Sequence, residues 1–174
     1  MEQVTVESPR WLEPREQSAW RAYLEMNAKL TASLNRQMQS QFGLSISDFS
    51  VLVQLSEHVD ARMRVLELAR ALDWEKSRLS HQLTRMQQRG LVVRSNCSED
   101  RRGANVALTD LGRKTVEAAA PGHVETVRTY LFDVIDAEQV EALDAIAHAV
   151  VERLDRACAE VVEPCVLADE ESVE

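Results

Sequence analysis

The chain has 174 residues, of which 45% are hydrophobic and only 5% aromatic, with five Gly and four Pro. That is enough apolar material for one sizeable core, in the proportions of a mostly helical domain rather than a β-rich one. Its formal net charge is −9, which taken whole argues against a polyanion partner, and no apolar run approaches the 18 or more residues that a membrane-spanning helix requires. The stretch MEQVTVESPR is no signal peptide, so a cytoplasmic chain without membrane partners is expected. Three cysteines, Cys97, Cys158 and Cys165, are far apart and odd in number, which predicts free thiols rather than a disulfide framework.

Placing the charges along the chain changes the picture. Residues 60–114 hold 12 Lys or Arg against 7 Asp or Glu, a net of +5, and the remainder holds 8 against 22, a net of −14. One lobe is therefore suited to a polyanion while the rest is acidic scaffold. Five segments are expected: an N-terminal arm (1–12), N-terminal helices (13–60), a basic lobe (61–113), C-terminal helices (114–162) and a disordered acidic tail (163–174).

The first long helix is predicted to begin near Pro14, a residue favoured at the first helical position, and to run to about Gln41, ahead of Gly43. Its stripe is Trp20, Tyr23/Leu24, Asn27, Leu30, Leu34 and Met38, at steps of three and four. Ser45 and Asp48 have the spacing of a capping box, and Phe49, Leu52, Val53 and Leu55 give a short buried helix. The stretch HVDARM reads as a loop.

Two helices follow. Val65, Leu68, Ala69 and Leu72 line the first, and Leu79, Leu83, Met86 and Leu91 line the second, which ends at Gly90. The Asp73-Trp74 turn between them is as short as a helix-turn-helix demands, and Asp73 suits the left-handed backbone that such a turn requires. The predicted outer face of the second helix carries Ser77, Arg78, Ser80, His81, Gln82 and Arg85, donors and donor-acceptors of the kind that read base edges and grip phosphates. An ordinary surface helix is richer in Glu and Lys; this face has one acid, Glu75, at its start.

Directly afterwards come two β-type runs, Leu91–Arg94 and Asn105–Leu108, joined by a charged tip containing Asp100, Arg101 and Arg102. Alone, such a hairpin is a solvated turn; behind a helix-turn-helix it reads as a wing. Arg101 and Arg102 would enter a narrow minor groove, with Asp100 orienting a guanidinium.

From Thr109 a helix runs towards Ile135, kinked or broken at Pro121-Gly122. Asp136 with Gln139 makes a capping box for the last helix, where Val140, Leu143, Ala147, Val150, Leu154, Ala157 and Val161 form a heptad seam that packs either internally or against a second chain.

The block from Val65 to Gly112, above all DRRGANVALTDLG, resembles the winged helix-turn-helix of the MarR family of bacterial transcriptional regulators. The family's wing pattern, D-x-R, a strand, then L-T-x-x-G, is matched by Asp100, Arg102, Leu108, Thr109 and Gly112, and the helical layout extends the resemblance over roughly residues 12–162. Two departures blur helix starts: Arg64 and Glu75 stand where stronger caps are expected. The resemblance implies a fold that is mainly α with a small β-wing, a winged helix-turn-helix with N- and C-terminal dimerisation helices. It further implies a homodimer that places two recognition helices about 34 Å apart on double-stranded DNA. The expected function is repression at a pseudo-palindromic operator, relieved by a small aromatic or lipophilic effector bound in a cleft that Trp20, Tyr23 and Asn27 would line. Trp20 and Tyr23 serve equally well as core residues.

No Gly-rich phosphate loop, H-E-x-x-H, C-x-x-C or nucleophile elbow is present, and His58, His81, His123 and His148 lack metal-ligand spacing. Neither enzymatic activity nor a cofactor or metal is expected. Two alternatives remain at this stage. One is a thiol-based redox regulator working through Cys97, with Arg94 lowering its pKa and Glu99 and Asp100 opposing it. The other is a winged-helix protein-interaction module that does not bind DNA.

Overall fold

The computed structural model describes residues 9–96 and 104–162. In chain order they form α1 (Pro14–Phe42), α2 (Ile46–Glu57), β1 (Arg62–Arg64), α3 (Val65–Ala71), α4 (Lys76–Gln88), β2 (Val92–Asn96), β3 (Ala104–Leu108), α5 (Asp110–Tyr130), a 3-10 turn (Phe132–Val134) and α6 (Ala137–Val162). Two compact units divide the chain, Met1–Val127 and Arg128–Glu174.

Local chemistry accounts for most helix ends. Helix α1 starts on Pro14, the Glu13 amide donates to the Glu16 carboxylate at 2.8 Å, and Gly43 closes the helix at φ +62°, where a glycine carries no Cβ penalty. Helix α2 opens on the Ser45–Asp48 capping box, with the Asp48 amide donating to Ser45 Oγ at 3.0 Å and the Ser45 amide to Asp48 Oδ2 at 2.9 Å. In the second unit Asp136 and Gln139 form the same reciprocal pair at 2.8 and 3.0 Å and start α6. Helix α3 has no such aid at its N-terminus. Arg64 offers no side-chain acceptor there, and its amide reaches the Glu67 carboxylate only at 3.4 Å.

The core of the first unit is a single cluster: Met38 from α1, Leu52 and Leu55 from α2, Leu68 from α3, Leu79, Leu83 and Met86 from α4, and Val106 from β3 are all shut off from water. Burial of each such side chain favours folding by about 1.5–3 kcal/mol, so this cluster fixes how α4 and the sheet sit together.

The structure corrects two sequence expectations. The stretch HVDARM is not entirely loop: Arg62–Arg64 forms strand β1, paired antiparallel with β3, so the sheet has three strands in the order β1-β3-β2. Met63 points into the core and its two arginine neighbours point outward, an alternation too short to register in the sequence. The chain enters that strand through Ala61 at φ +49°, whose carbonyl accepts the Leu108 amide at 3.1 Å. Helix α5, in turn, is not broken at Pro121-Gly122 but runs through both residues to Tyr130. The missing amide of Pro121 costs one helical hydrogen bond, and tertiary packing of the segment outweighs it. A Cβ at Gly122 would stand 2.6 Å from Gln37 Nε2 and 3.4 Å from the Phe42 ring, so the glycine lets α5 approach α1 closely.

Candidate nucleic-acid interface

The α3–α4 turn is built from backbone bonds. Asp73 sits at φ +50°, as its residue type allows, and its amide donates to the Arg70 carbonyl while the Trp74 amide donates to Ala69, at 3.1 and 2.9 Å. Glu75 then begins α4 without accepting a side-chain cap bond.

Helix α4 buries Leu79, Leu83 and Met86 and leaves Ser77, Arg78, His81 and Arg85 exposed on its other side. Ser80 is half-buried. Gln82 departs from the expectation: it is 4% exposed, facing inward rather than lining the outer face. Its Nε2 donates to Asp48 Oδ1 at 2.6 Å, and its Oε1 accepts from Arg85 Nη2. The physical reason is Asp48. This carboxylate on α2 is only 5% exposed and needs donors; it obtains them from Gln82, from Ser45, and from Arg89 Nη1 at 2.9 Å. Because an ionised carboxylate only accepts, the Gln82 amide must turn its NH2 inward and its oxygen outward, where it holds Arg85. Arg89 is tied further, its Nη2 donating to the Gly43 carbonyl at 2.8 Å. Gln82 lies three residues after Leu79 and four before Met86, within the apolar spacing, and that was the signal for its inward position.

Strands β2 and β3 pair from Val92 opposite Leu108 to Asn96 opposite Ala104. The tip, with Cys97, Asp100, Arg101 and Arg102, lies outside the described residues. At the base of the hairpin, Arg94 Nη2 donates to the Ser80 carbonyl at 2.9 Å, tying β2 to α4. Thr109 and Gly112 give the L-T-x-x-G pattern a structural meaning. Thr109 Oγ1 accepts the Gly112 amide at 3.0 Å as the cap of α5 and donates to the Gly90 carbonyl at 2.6 Å. A Cβ on Gly112 would stand 2.0 Å from the Leu91 carbonyl oxygen. Threonine and glycine together lock α5 onto the corner between α4 and β2.

On α1, Trp20 and Tyr23 are 52% and 50% exposed and stack with ring centroids 5.6 Å apart; within this chain they are not core. Asn27 is exposed one turn further on. Leu24 and Met26 extend the exposed apolar surface of α1, Trp11 is exposed just ahead of that helix, and Ile146, Val150, Val151 and Leu154 are exposed on α6. Among the described residues no group of His, Cys, Asp or Glu is arranged to hold a metal ion, and no helix is long and apolar enough to cross a membrane.

A helix-turn-helix whose second helix presents polar side chains, followed by an antiparallel hairpin, defines a winged helix-turn-helix protein. The MarR family model matches residues 44–103. AbsC, a MarR family transcriptional regulator from Streptomyces coelicolor, is 44% identical, with a TM-score of 0.80 over 84% of this chain and 99% of that one. Sco3205, a MarR family regulator from the same organism solved in complex with DNA, is 40% identical, with a TM-score of 0.81 over 84% of this chain and 92% of that one. A further relative, the HTH-type transcriptional repressor YetL of Bacillus subtilis, is 27% identical over 63% of this chain and 68% of its own length. The chain belongs to the MarR family of transcriptional regulators.

Proposed function

We propose that the protein is a transcriptional repressor that binds a pseudo-palindromic operator as a homodimer and is released from it by a small aromatic or lipophilic ligand. The observation that carries this reading is the exposed face of α4: Ser77, Arg78, His81 and Arg85 stand on a rigid helix in the net-positive segment of an otherwise acidic chain. Ser77, Arg78 and His81, in its first turns, read base edges, while Arg85, tied back to Gln82, grips phosphate. Ser80 and Gln82 act from behind this face. The wing residues Arg101 and Arg102, oriented by Asp100, enter the flanking minor groove. The DNA-bound relative Sco3205 and the repressor YetL support the same reading.

Residues 13–60 and 114–162 supply the dimer contacts and residues 61–113 the DNA-binding lobe. The exposed apolar side chains of α1 and α6 are more than a monomer ordinarily leaves in water, and a second copy covers them. On α1 the Trp20–Tyr23 stack offers a flat apolar surface and Asn27 a polar handle, the chemistry of a site for a small aromatic effector. The test is a mobility-shift assay on the duplex upstream of the protein's own gene. Binding should weaken steeply and log-linearly with salt, since each phosphate contact releases counterion. Salt-independent binding, or none, would leave a protein-interaction module as the better account.

A further inference from the structure

We infer that Trp74 is a specificity-determining positioning residue, its indole being the platform that holds the Arg78 guanidinium ready to read one guanine in each half-site. The inference rests on the DNA-binding reading above. Arg78 Cζ lies 4.2 Å from the centroid of the Trp74 ring, well inside the range of cation–π attraction. The platform is fixed from below. The Trp74 amide is bonded to the Ala69 carbonyl, the left-handed Asp73 sets the turn before it, and the half-buried ring packs against the hydrophobic core. Arg78 itself is exposed, and among the described residues it forms no ion pair with a carboxylate.

Those two facts together are informative. An exposed arginine without an acid partner normally samples many rotamers, and ordering it on binding costs affinity. A guanidinium lying on an aromatic face keeps its N–H donors at its edge, open to acceptors, because the ring engages only the π surface. The donor fork at that edge matches the O6 and N7 acceptors that guanine shows in the major groove. Arg78 stands in the first turn of α4, and Trp74, four residues earlier, lies in the turn just ahead of that helix, at the end that meets base edges in helix-turn-helix complexes. Lysine in place of Arg78 would keep the charge but lose both the planar contact and the fork.

The experiment is selection from a duplex pool with about 20 randomised base pairs, enough for two half-sites one turn apart, using the full chain and the variants Arg78→Ala, Trp74→Phe, Trp74→Leu and Trp74→Met, each checked for folding by thermal melting. The wild type should enrich a symmetry-related pair of guanines, and Arg78→Ala should lose the preference at those two positions only. Trp74→Leu should weaken it about 2- to 5-fold there, the loss of one cation–π contact at an exposed site, and Trp74→Phe should restore most of it. In an Arg78→Ala background Trp74→Leu should change nothing further. A folded Trp74→Leu with undiminished guanine preference, or with an even loss at every position, would overturn the proposal. Should Trp74→Leu fail to fold, Trp74→Met, which keeps an apolar side chain against the core without a π face, decides: undiminished guanine preference overturns the platform, and a loss of about 2- to 5-fold confined to the two guanines supports it. A wild-type protein that enriches no sequence at all would defeat the DNA-binding reading itself, a result distinct from either of these.

Discussion

Gly112 shows how much one position can weigh. A methyl group there would meet the Leu91 carbonyl oxygen at 2.0 Å, and that oxygen is backbone in the corner between α4 and β2, so it cannot swing aside. Gly112→Ala should therefore destabilise the protein by about 3 kcal/mol, as overpacking against a fixed neighbour does, and denaturant unfolding would measure it; a loss below about 0.5 kcal/mol, the range of ordinary surface substitutions, would show that the corner yields. His123 makes a second residue-scale case. It packs on Phe49 with ring centroids 4.7 Å apart, its Nδ1 is buried without a partner, and burial lowers its pKa from the ordinary 6.5. A histidine with a depressed folded-state pKa favours the neutral form, so it contributes no pH dependence above pH 6.5. Stability falls as pH drops from about 6.5 towards the folded-state value, because the unfolded chain takes up the proton first. His123→Phe keeps a ring against Phe49 and removes this titration. Unfolding measured at about pH 7.5 and pH 5.5 should show a smaller acid loss in the variant, and equal losses would remove His123 from the account.

Helix α4 works as an element because its two sides are held by different means. Its inner side is apolar except for Gln82, which the buried Asp48 carboxylate draws inward, and Arg94 reaches from β2 to the Ser80 carbonyl. The helix, the turn and the base of the wing are thereby held as one unit, and in the proposed interface the side chains of α4 take different roles along its length. Substitution of Ser77 or His81 by Ala should relax sequence preference, since base-edge contacts carry specificity. Arg85→Ala should instead weaken binding to all duplexes alike and reduce the salt slope by about one. Binding isotherms on specific and random duplexes at several salt concentrations separate the two patterns, and a uniform loss across all three variants would mean that the reading face lies elsewhere.

For the whole molecule the decisive surfaces are those that one chain leaves uncovered. Val150 and Leu154 are 53% and 59% exposed on α6. Were the protein a monomer, replacing both by Asp would change little, since exposed substitutions rarely exceed about 0.5 kcal/mol. In the proposed dimer the same change places two charges per chain in an apolar seam, each costing several kcal/mol. Sedimentation of the double mutant should therefore show monomer, or loss of fold, together with loss of the operator shift, because two linked lobes make the second half-site contact effectively intramolecular. A wild-type chain that sediments as a monomer at micromolar concentration while binding tightly would overturn this assembly.

Sequence alone determined the features governed by short-range chemistry. The capping boxes at Ser45 and Asp136, the left-handed Asp73 in a two-residue turn, the glycine ends at Gly43 and Gly90, and the 3-4 spacing of Leu79, Leu83 and Met86 all follow from groups within one turn of each other. The Thr109–Gly112 pattern was legible as a motif, but its purpose was not, because the oxygen that forbids a Cβ belongs to Leu91 across a chain reversal. The rest was decided by partners distant in sequence. Strand β1 exists only through pairing with β3, more than forty residues on. Gln82 looked like a surface donor until Asp48, thirty-four residues earlier, required its amide hydrogens in the core. Trp20 and Tyr23 fitted a buried stripe by periodicity, yet periodicity records which face of a helix is apolar and not what covers it. Tertiary structure settles such positions because a buried polar group must find its partner wherever the fold places one, and a strand takes its hydrogen bonds from a neighbour that local sequence does not specify.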